Sequence, residues 1–244
     1  MRDCIIIIPT YNEKENIGNI IPYTLNLSDR FEILIIEDGS PDGTAAIVKS
    51  LMSQFPDRIH IIERTGKLGL GTAYITGFKW ALEKGYSYIF EMDADFSHPP
   101  EKLLELLDAC ENKGAYLSVG SRYIKGGSVV NWPFDRLFLS WFASKYVRLV
   151  TGMRIKDTTA GFVCYRNATL QKIDFDKIKF VGYAFQIEMK FAVWLTEVKV
   201  IEVPIVFKDR EAGTSKMSGS IIKEAVLGVL QMKIQAFKNK YFYL

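Results

Sequence analysis

Two aspartates separated by one small residue close the segment Glu91-Met92-Asp93-Ala94-Asp95, which directly follows the apolar run Tyr86–Phe90. Carboxylates in that arrangement leave a strand together and offer hard oxygen ligands. Mg²⁺ and Mn²⁺ prefer such ligands, and a divalent ion held by one or two carboxylates can bridge the oxygens of a diphosphate. Taken alone, however, a pair of loop acids is more often solvated than metal-bound. Two further acid-bearing segments reach the same edge if the strands before them are parallel: Pro9-Thr10-Tyr11-Asn12-Glu13 and Glu37-Asp38-Gly39-Ser40-Pro41-Asp42-Gly43-Thr44. The second also reads as two turns in which Asp42 or Thr44 caps a helix. Three such loops on one edge suit a nucleotide, its ribose hydroxyls and a metal.

Gly66-Lys67-Leu68-Gly69-Leu70-Gly71-Thr72 is not a phosphate loop, because Lys and then Ser or Thr do not follow the second glycine. It is not a dinucleotide fingerprint either, since Tyr74 stands where the third glycine belongs. A turn into a helix is the expected role. His98, before Pro99, reads as a structural loop residue rather than a ligand.

The elements that must position these loops form an alternating pattern over the first half of the chain. Compact apolar runs at Cys4–Ile8, Phe31–Glu37, Ile59–Glu63, Tyr86–Met92 and Tyr116–Ser121 predict strands. Helices are predicted at Glu15–Leu27, Thr44–Phe55, Thr72–Lys84 and Glu101–Asn112. Such alternation builds a Rossmann-like, mostly parallel α/β sheet flanked by helices, with ligands at the strands' carboxyl ends. The second half adds an aromatic helix at Trp132–Val150, a strand at Lys199–Phe207 and a final helix from Ser220 to about Lys238. With 244 residues, 48% of them hydrophobic and 24% charged, one main domain can bury its own core. The three cysteines, Cys4, Cys110 and Cys164, lie far apart and fit a reducing compartment. The first residues read as a strand rather than a signal peptide, and no run is long enough to span a bilayer. A net charge of +3 is too small to argue for nucleic acid.

Taken together, the acidic loops, the Gly66–Gly71 turn and Asp93-Ala94-Asp95 resemble the glycosyltransferase family 2 catalytic domain in its dolichol-phosphate mannosyltransferase branch. Gly120-Ser121-Arg122-Tyr123, Gly126-Gly127, Asp157-Thr158-Thr159-Ala160-Gly161-Phe162 and the Pro204, Phe207, Arg210, Gly213, Ser215, Lys216 series extend the likeness, in the family's order. It spans roughly residues 4 to 217, so the catalytic domain is assigned to 1–217 and a C-terminal amphipathic helical segment to 218–244. The resemblance implies a GT-A fold, with amphipathic interface helices toward the C-terminus. It implies nucleotide contacts at Pro9, Tyr11, Glu13, Ile36, Asp38 and Ala94, and Mg²⁺ or Mn²⁺ on Asp93 and Asp95. It further implies phosphate contacts at Arg122, Arg136, Arg210 and Lys216. Three positions depart from the family's usual pattern: Ser97 replaces a metal-assisting Gln, Glu37-Asp38 an Asp pair, and Asp157-Thr158-Thr159-Ala160-Gly161 an Asp-Leu-Thr-Gly-Gly run.

The implied reaction is inverting transfer of mannose from GDP-mannose to a polyprenyl phosphate, with Asp93, Asp95, Arg122, Arg210 and Lys216 as its catalytic groups. A polyprenyl-phosphate glucosyltransferase using UDP-glucose and a catalytically silent nucleotide-sugar binding subunit are the alternatives. Asp157 is the tempting general-base candidate, but it sits in a Thr- and Gly-containing turn where side-chain capping explains it equally well, and its conversion to Asn is expected to leave most activity. In Trp132–Val150 the polar residues Arg136, Ser140, Ser144 and Arg148 recur every fourth position on an otherwise aromatic helix. Such a helix is either buried or lies on lipid. The C-terminal segment adds Ile222, Val226, Val229, Leu230, Ile234 and Phe237 on one side, with Lys223, Lys233, Lys238 and Lys240 among the polar positions. These features place the chain on the cytoplasmic face of a membrane without crossing it, and leave room for a membrane-anchoring subunit.

Overall fold

The computed structural model describes residues 2–182, 184–209, 219–237 and 241; in 219–226 and at 237 the backbone alone is described. Nine strands and eight helices alternate along these residues. Strands β1 (Cys4–Thr10), β2 (Phe31–Glu37), β3 (Ile59–Glu63) and β4 (Tyr88–Glu91) are separated by helices α1 (Lys14–Asn26), α2 (Thr44–Gln54) and α3 (Leu70–Lys84). Helix α4 (Leu103–Glu111) leads to β5 (Leu117–Ser121), and short β6 (Ser128–Val130) to α5 (Phe134–Thr151). Then come β7 (Val163–Arg166), α6 (Asn167–Leu170), α7 (Ala184–Trp194), β8 (Val200–Pro204), β9 (Val206–Lys208) and α8 (Gly219–Phe237).

Seven strands make one sheet in the order β3-β2-β1-β4-β7-β5-β8. All run parallel except β7, which pairs antiparallel with both β4 and β5. The expected α/β, mostly parallel sheet is therefore present, with one reversed strand that the sequence did not announce. Because β7 starts where its neighbours end, the segment before it, 157–162, lies at the same edge as the carboxyl ends of β1, β2, β4 and β5.

The central strands are β-branched because both of their faces are covered. Along β1 and β2 alternate residues sort into two cores: Ile5, Ile7, Leu34 and Ile36 pack with α3 and α7, and Ile6, Ile8, Ile33 and Ile35 with α1 and α2. Each is wholly buried, and burying one such side chain contributes about 1.5–3 kcal/mol. Helix α7 was not anticipated. Its ten residues Ala184 to Val193 are all buried, including Gln186, Glu188 and Lys190, so it carries no polar stripe from which a helical period could be read.

The predicted strand Lys199–Phe207 divides into β8 and β9, and β9 leaves the main sheet to pair with β6. The predicted aromatic helix begins at Phe134, with Pro133 as its N-cap. Within α5 the stripe of Arg136, Ser140, Ser144 and Arg148 is half-buried or buried, while Phe134, Phe138, Trp141, Phe142 and Leu149 are exposed. Helix α8 packs on α5 and α7. It buries Val229 and Met232 and exposes Leu227, Leu230 and Ile234. The side chains of Ile222, Lys223, Val226 and Phe237, and Lys238 and Lys240 altogether, lie outside the described residues. No helix among the described residues is long and apolar enough to cross a membrane.

The Gly126-Gly127 pair follows β5 where the chain folds back on itself. Gly126 holds φ at +92°, and a Cβ on Gly127 would stand 2.5 Å from the Ser121 carbonyl oxygen and 2.9 Å from the Arg122 carbonyl carbon. Those neighbours are backbone and cannot rotate away. Gly127→Ala is therefore expected to destabilise the protein by about 1–3 kcal/mol, the usual range for overpacking. Urea unfolding checks this, with Ser128→Ala, whose side chain is exposed, as the neutral comparison.

Candidate active site

At the carboxyl ends of β1 and β2, two loops brace each other through short polar contacts. The Glu37 carboxylate accepts the Gly39 N–H at 2.9 Å and the Ser40 N–H at 2.7 Å. Asp42 accepts the Thr44 N–H and hydroxyl with one oxygen and the Lys14 N–H with the other. Asn12, in the left-handed region at φ 60°, donates its N–H to Ser40 Oγ at 3.0 Å. Acids in this loop thus order backbone as well as lining an edge.

Asp38 is buried and forms a two-pronged pair with Arg64, at 2.6 and 2.7 Å, and Arg64 also donates to Thr72 Oγ1 at 2.8 Å. The sequence reading missed Arg64, which follows β3 without a motif of its own. Tyr11 lies under Lys67 Nζ at 5.0 Å, and Glu13 accepts the Asn16 amide at 2.9 Å. Pro9, at the end of β1, pairs in register with Ile36. Ile36 is 0% exposed inside the core and Ala94 is 4% exposed in the opposite core, so a nucleotide contact at either position falls to the backbone rather than the side chain.

The acidic pair opens on a cleft of about 140 Å³, which Asp93, Asp95, Arg122, Arg136, Gly161 and Gln186 help to line. Asp93 donates its N–H to His98 Nδ1 at 3.1 Å, and Asp95 accepts the Ser97 N–H at 3.1 Å. Because Nδ1 accepts, the proton of the neutral ring resides on Nε2. Burial holds the His98 pKa down to about 4. The ring stacks on Phe162 at 5.0 Å and meets Phe207 edge-on, so His98 props up the acidic loop. No group of three His, Cys, Asp or Glu side chains forms a metal cage among the described residues. The two carboxylates nevertheless fit a hard cation whose remaining positions go to a diphosphate and water.

Beneath the acids lies a buried polar layer. Glu91, one turn of strand before Asp93, accepts hydrogen bonds from Tyr165 Oη at 2.9 Å and from the Gln186 amide. Burial raises its pKa to about 7, against the pull of Lys190 and these two donors. Lys190 is fully buried, donates to the carbonyls of Ala160 and Gln186, and has its pKa lowered by burial to about 8. Gln186 and Lys190 come from α7, so the sequence held no local sign of their role.

Arg122 is held by Asp157. The carboxylate takes Arg122 Nε at 2.7 Å and Nη2 at 2.6 Å, and also the Arg122 N–H at 2.9 Å. Nη2 further donates to Thr159 Oγ1 at 2.8 Å. Nη1 has no hydrogen-bond partner among the described residues, and the guanidinium lies against Tyr123, Trp132 and Phe207. Asp157 is therefore a buried partner of the arginine, which corrects its reading as a capping residue. Arg136 pairs with Asp209 at 3.0 Å and stacks over Trp132 at 4.0 Å. Arg210 and Lys216 lie outside the described residues.

The sequence profile of glycosyl transferase family 2 matches residues 5–178. The chain belongs to this family. Polyprenol monophosphomannose synthase of Mycolicibacterium smegmatis is 48% identical over 95% of this chain and 87% of its own length. Undecaprenyl-phosphate mannosyltransferase of Micrococcus luteus is 44% identical over 94% of the chain and 93% of its own length. Among solved structures, a mannosyltransferase of Pyrobaculum calidifontis in complex with GDP-Man and Mn²⁺ superposes with a TM-score of 0.60 at 16% identity, covering 97% of this chain and 64% of that one. Glucosyl-3-phosphoglycerate synthase of Mycobacterium tuberculosis with Mn²⁺ and UDP-glucose gives 0.66 at 15% identity, over 96% of this chain and 78% of that one. At that identity the likeness is one of fold.

For this family 2 domain the pairing of Arg122 with Asp157 sets a clear expectation. Burial alone would raise the Asp157 pKa, but the Arg122 charge and hydrogen bonds more than offset it and hold the carboxyl below its usual range. A depressed folded pKa gives stability that is present above the unfolded value and lost as pH falls through the folded one. Asp157→Asn should lose about 3–5 kcal/mol at neutral pH, as broken buried pairs do, and its stability should fall less steeply below about pH 4 than that of the wild type. Urea unfolding across pH checks both. Transfer by the folded variant should fall as far as in Arg122→Gln, with no recovery at high pH, because Asp157 positions the arginine rather than accepting a proton.

Proposed function

We infer that this chain transfers mannose from a nucleotide diphosphate donor, GDP-mannose, to a polyprenyl phosphate. The observation that carries this reading is a cleft lined both by two carboxylates, Asp93 and Asp95, and by two guanidinium groups, Arg122 and Arg136, each lying over the Trp132 ring. Carboxylates suit a cation-bound donor diphosphate, and guanidinium forks suit an anionic acceptor. The two relatives named for mannosyl transfer to polyprenyl phosphates support the same pairing of sugar and acceptor.

A monoalkyl phosphate is already anionic near neutrality, its second pKa being about 6, so it needs no base to become a nucleophile. It needs orientation and relief from repulsion by the donor, which Arg122 Nη1 and Arg136 supply. Attack from the face opposite the leaving group inverts the sugar carbon. Trp132 and Phe207 wall the cleft and limit water there. A divalent ion, Mg²⁺ or Mn²⁺, held by Asp93 and Asp95 supplies charge stabilisation on the leaving diphosphate, and the Mn²⁺ bound by the two structural neighbours supports that choice. Arg210 and Lys216 are proposed as further phosphate contacts on their motif alone. Pro9, Tyr11, Glu13, Ile36, Asp38 and Ala94 are the proposed nucleotide contacts, Ile36 and Ala94 through their backbone and Asp38 with Arg64 beside it.

The exposed aromatic side of α5 and Leu227, Leu230 and Ile234 of α8 support attachment to a membrane surface, which we place at the cytoplasmic face. These give the enzyme an apolar surface at which a lipid acceptor resides. The chain divides in this reading into a catalytic domain, 1–217, and the amphipathic segment 218–244.

The test is a panel of GDP-mannose and UDP-glucose against a polyprenyl phosphate with Mg²⁺ or Mn²⁺. Mannosyl lipid is the expected product; glucosyl lipid in excess would overturn the donor, and no product at all would point to a silent subunit. Asp95→Asn should fold normally and transfer on the order of 10²–10³-fold more slowly. Wild-type turnover in that variant would remove the cation from the acidic pair.

A further inference from the structure

A second cavity, of about 240 Å³, opens beside the inner flank of α5, lined by Tyr123, Trp141, Ser144, Lys145, Arg148 and Lys156. It is several times larger than the roughly 30 Å³ that one water occupies. Three of its lining residues are cations and none is an acid. Two carboxylates that contact this part of the chain are engaged elsewhere: Glu202 accepts the N–H groups of Lys156 and Asp157, and Asp157 is taken up by Arg122. Ser144 Oγ and Arg148 Nε, of two residues that line it, are buried on this flank of α5 without a hydrogen-bond partner among the described residues. Buried polar atoms without partners are rare, and where they meet a cavity they point to a missing acceptor or donor. A donor set of hydroxyl, guanidinium and two ammonium groups is the chemistry of a phosphate site.

The cavity is separate from the catalytic cleft. Tyr123 stands between them, its hydroxyl bonded to Ser140 Oγ at 2.8 Å and its ring under the Arg122 guanidinium at 5.2 Å. On its outer side the cavity runs into the exposed aromatic face of α5. Trp141 belongs to both, being 44% exposed while lining the cavity, with Lys145 Nζ over its ring at 5.1 Å. A ligand whose anionic group enters here can lay an apolar tail against Trp141, Phe138 and Phe142. Free phosphate has no use for that surface.

We propose that this cavity binds the headgroup phosphate of an anionic bilayer lipid, a phosphodiester such as phosphatidylglycerol, separately from the acceptor substrate. The proposal rests on the reading that the aromatic side of α5 meets a membrane. Occupied, the site would fix the depth and rotation of α5 at the interface, where Trp rings prefer to reside.

The test compares wild type with Lys145→Gln/Arg148→Gln and with a control, Lys49→Gln/Lys84→Gln, which removes two exposed cations from α2 and α3. Binding is measured by co-sedimentation with phosphatidylcholine vesicles, with and without phosphatidylglycerol, and by calorimetry with monomeric short-chain phosphatidylglycerol or inorganic phosphate. The expected results are a loss on the order of tenfold in binding to the anionic vesicles for the cavity variant beyond that of the control, and short-chain lipid bound by wild type but not by the cavity variant. Binding to pure phosphatidylcholine should be alike in all three proteins, and its absence in wild type would sink the membrane reading of α5 instead. Lys145→Glu, at an exposed position, repeats the test where the double variant is unstable. Equal losses in cavity variant and control would reduce the effect to diffuse charge, and inorganic phosphate bound as tightly as short-chain lipid would assign a free anion; either overturns the proposal.

Discussion

The carboxylate of Asp157 is the fixed point around which the Arg122 side of the cleft is built. It binds the side chain and the backbone of Arg122 at the end of β5, while its own N–H is held by Glu202 of β8. Three pieces of chain that are distant in sequence are thereby locked to one another. The pair is buried on both sides, with side-chain exposures of 7% and 0%. Taking two charges out of water is costly, and such a pair persists where hydrogen bonds satisfy the remaining donors. Here the cost secures direction: the guanidinium plane is set, and one nitrogen is left for the cleft.

The donor side depends on a different device. Asp93 and Asp95 stand on a short loop that would be mobile if only its own residues held it. His98 accepts one backbone N–H from it, Asp95 closes on Ser97, and the aromatic rings of Phe162 and Phe207 pin the imidazole. Glu91 anchors the strand beneath by bonding to Tyr165 and Gln186. A glycosyl donor presents a flexible diphosphate, so rigid placement of its ligands lowers the reorganisation needed at reaction.

Helix α5 reverses the usual order of a surface helix. Its inner side carries Val147 into the core but also Arg136, Ser140, Ser144 and Arg148, which face Tyr123, the cleft and a basic cavity, while Phe134, Phe138, Trp141, Phe142 and Leu149 are left outside. Water does not favour that arrangement, and a bilayer surface does. The same helix thus links the cleft, whose Arg136 it carries, to the surface on which a lipid substrate would arrive.

The β-branched runs of β1 to β5 and the helical periods between them were legible in the sequence because local pattern and burial agree there. The same holds for Asp93-Ala94-Asp95 and the Glu37–Thr44 loop, whose residue types are unusual enough at a strand end to declare chemistry. The sequence had no means of declaring β7, since a reversed strand looks like any other apolar run. It could not show α7, because a helix packed on every side has no polar face to mark its period. Arg64 beside Asp38, Asp157 around Arg122, and Gln186 and Lys190 under the acids are pairings across 26, 35 and 95 residues or more of chain context, and only folding decides them. Ile36 and Ala94 illustrate the same limit from the other side: proximity to a motif in sequence did not say which face of the sheet the side chain would take. Residue chemistry and short-range period are properties of the chain, whereas partner choice follows from loop closure and burial, which exist only in the tertiary structure.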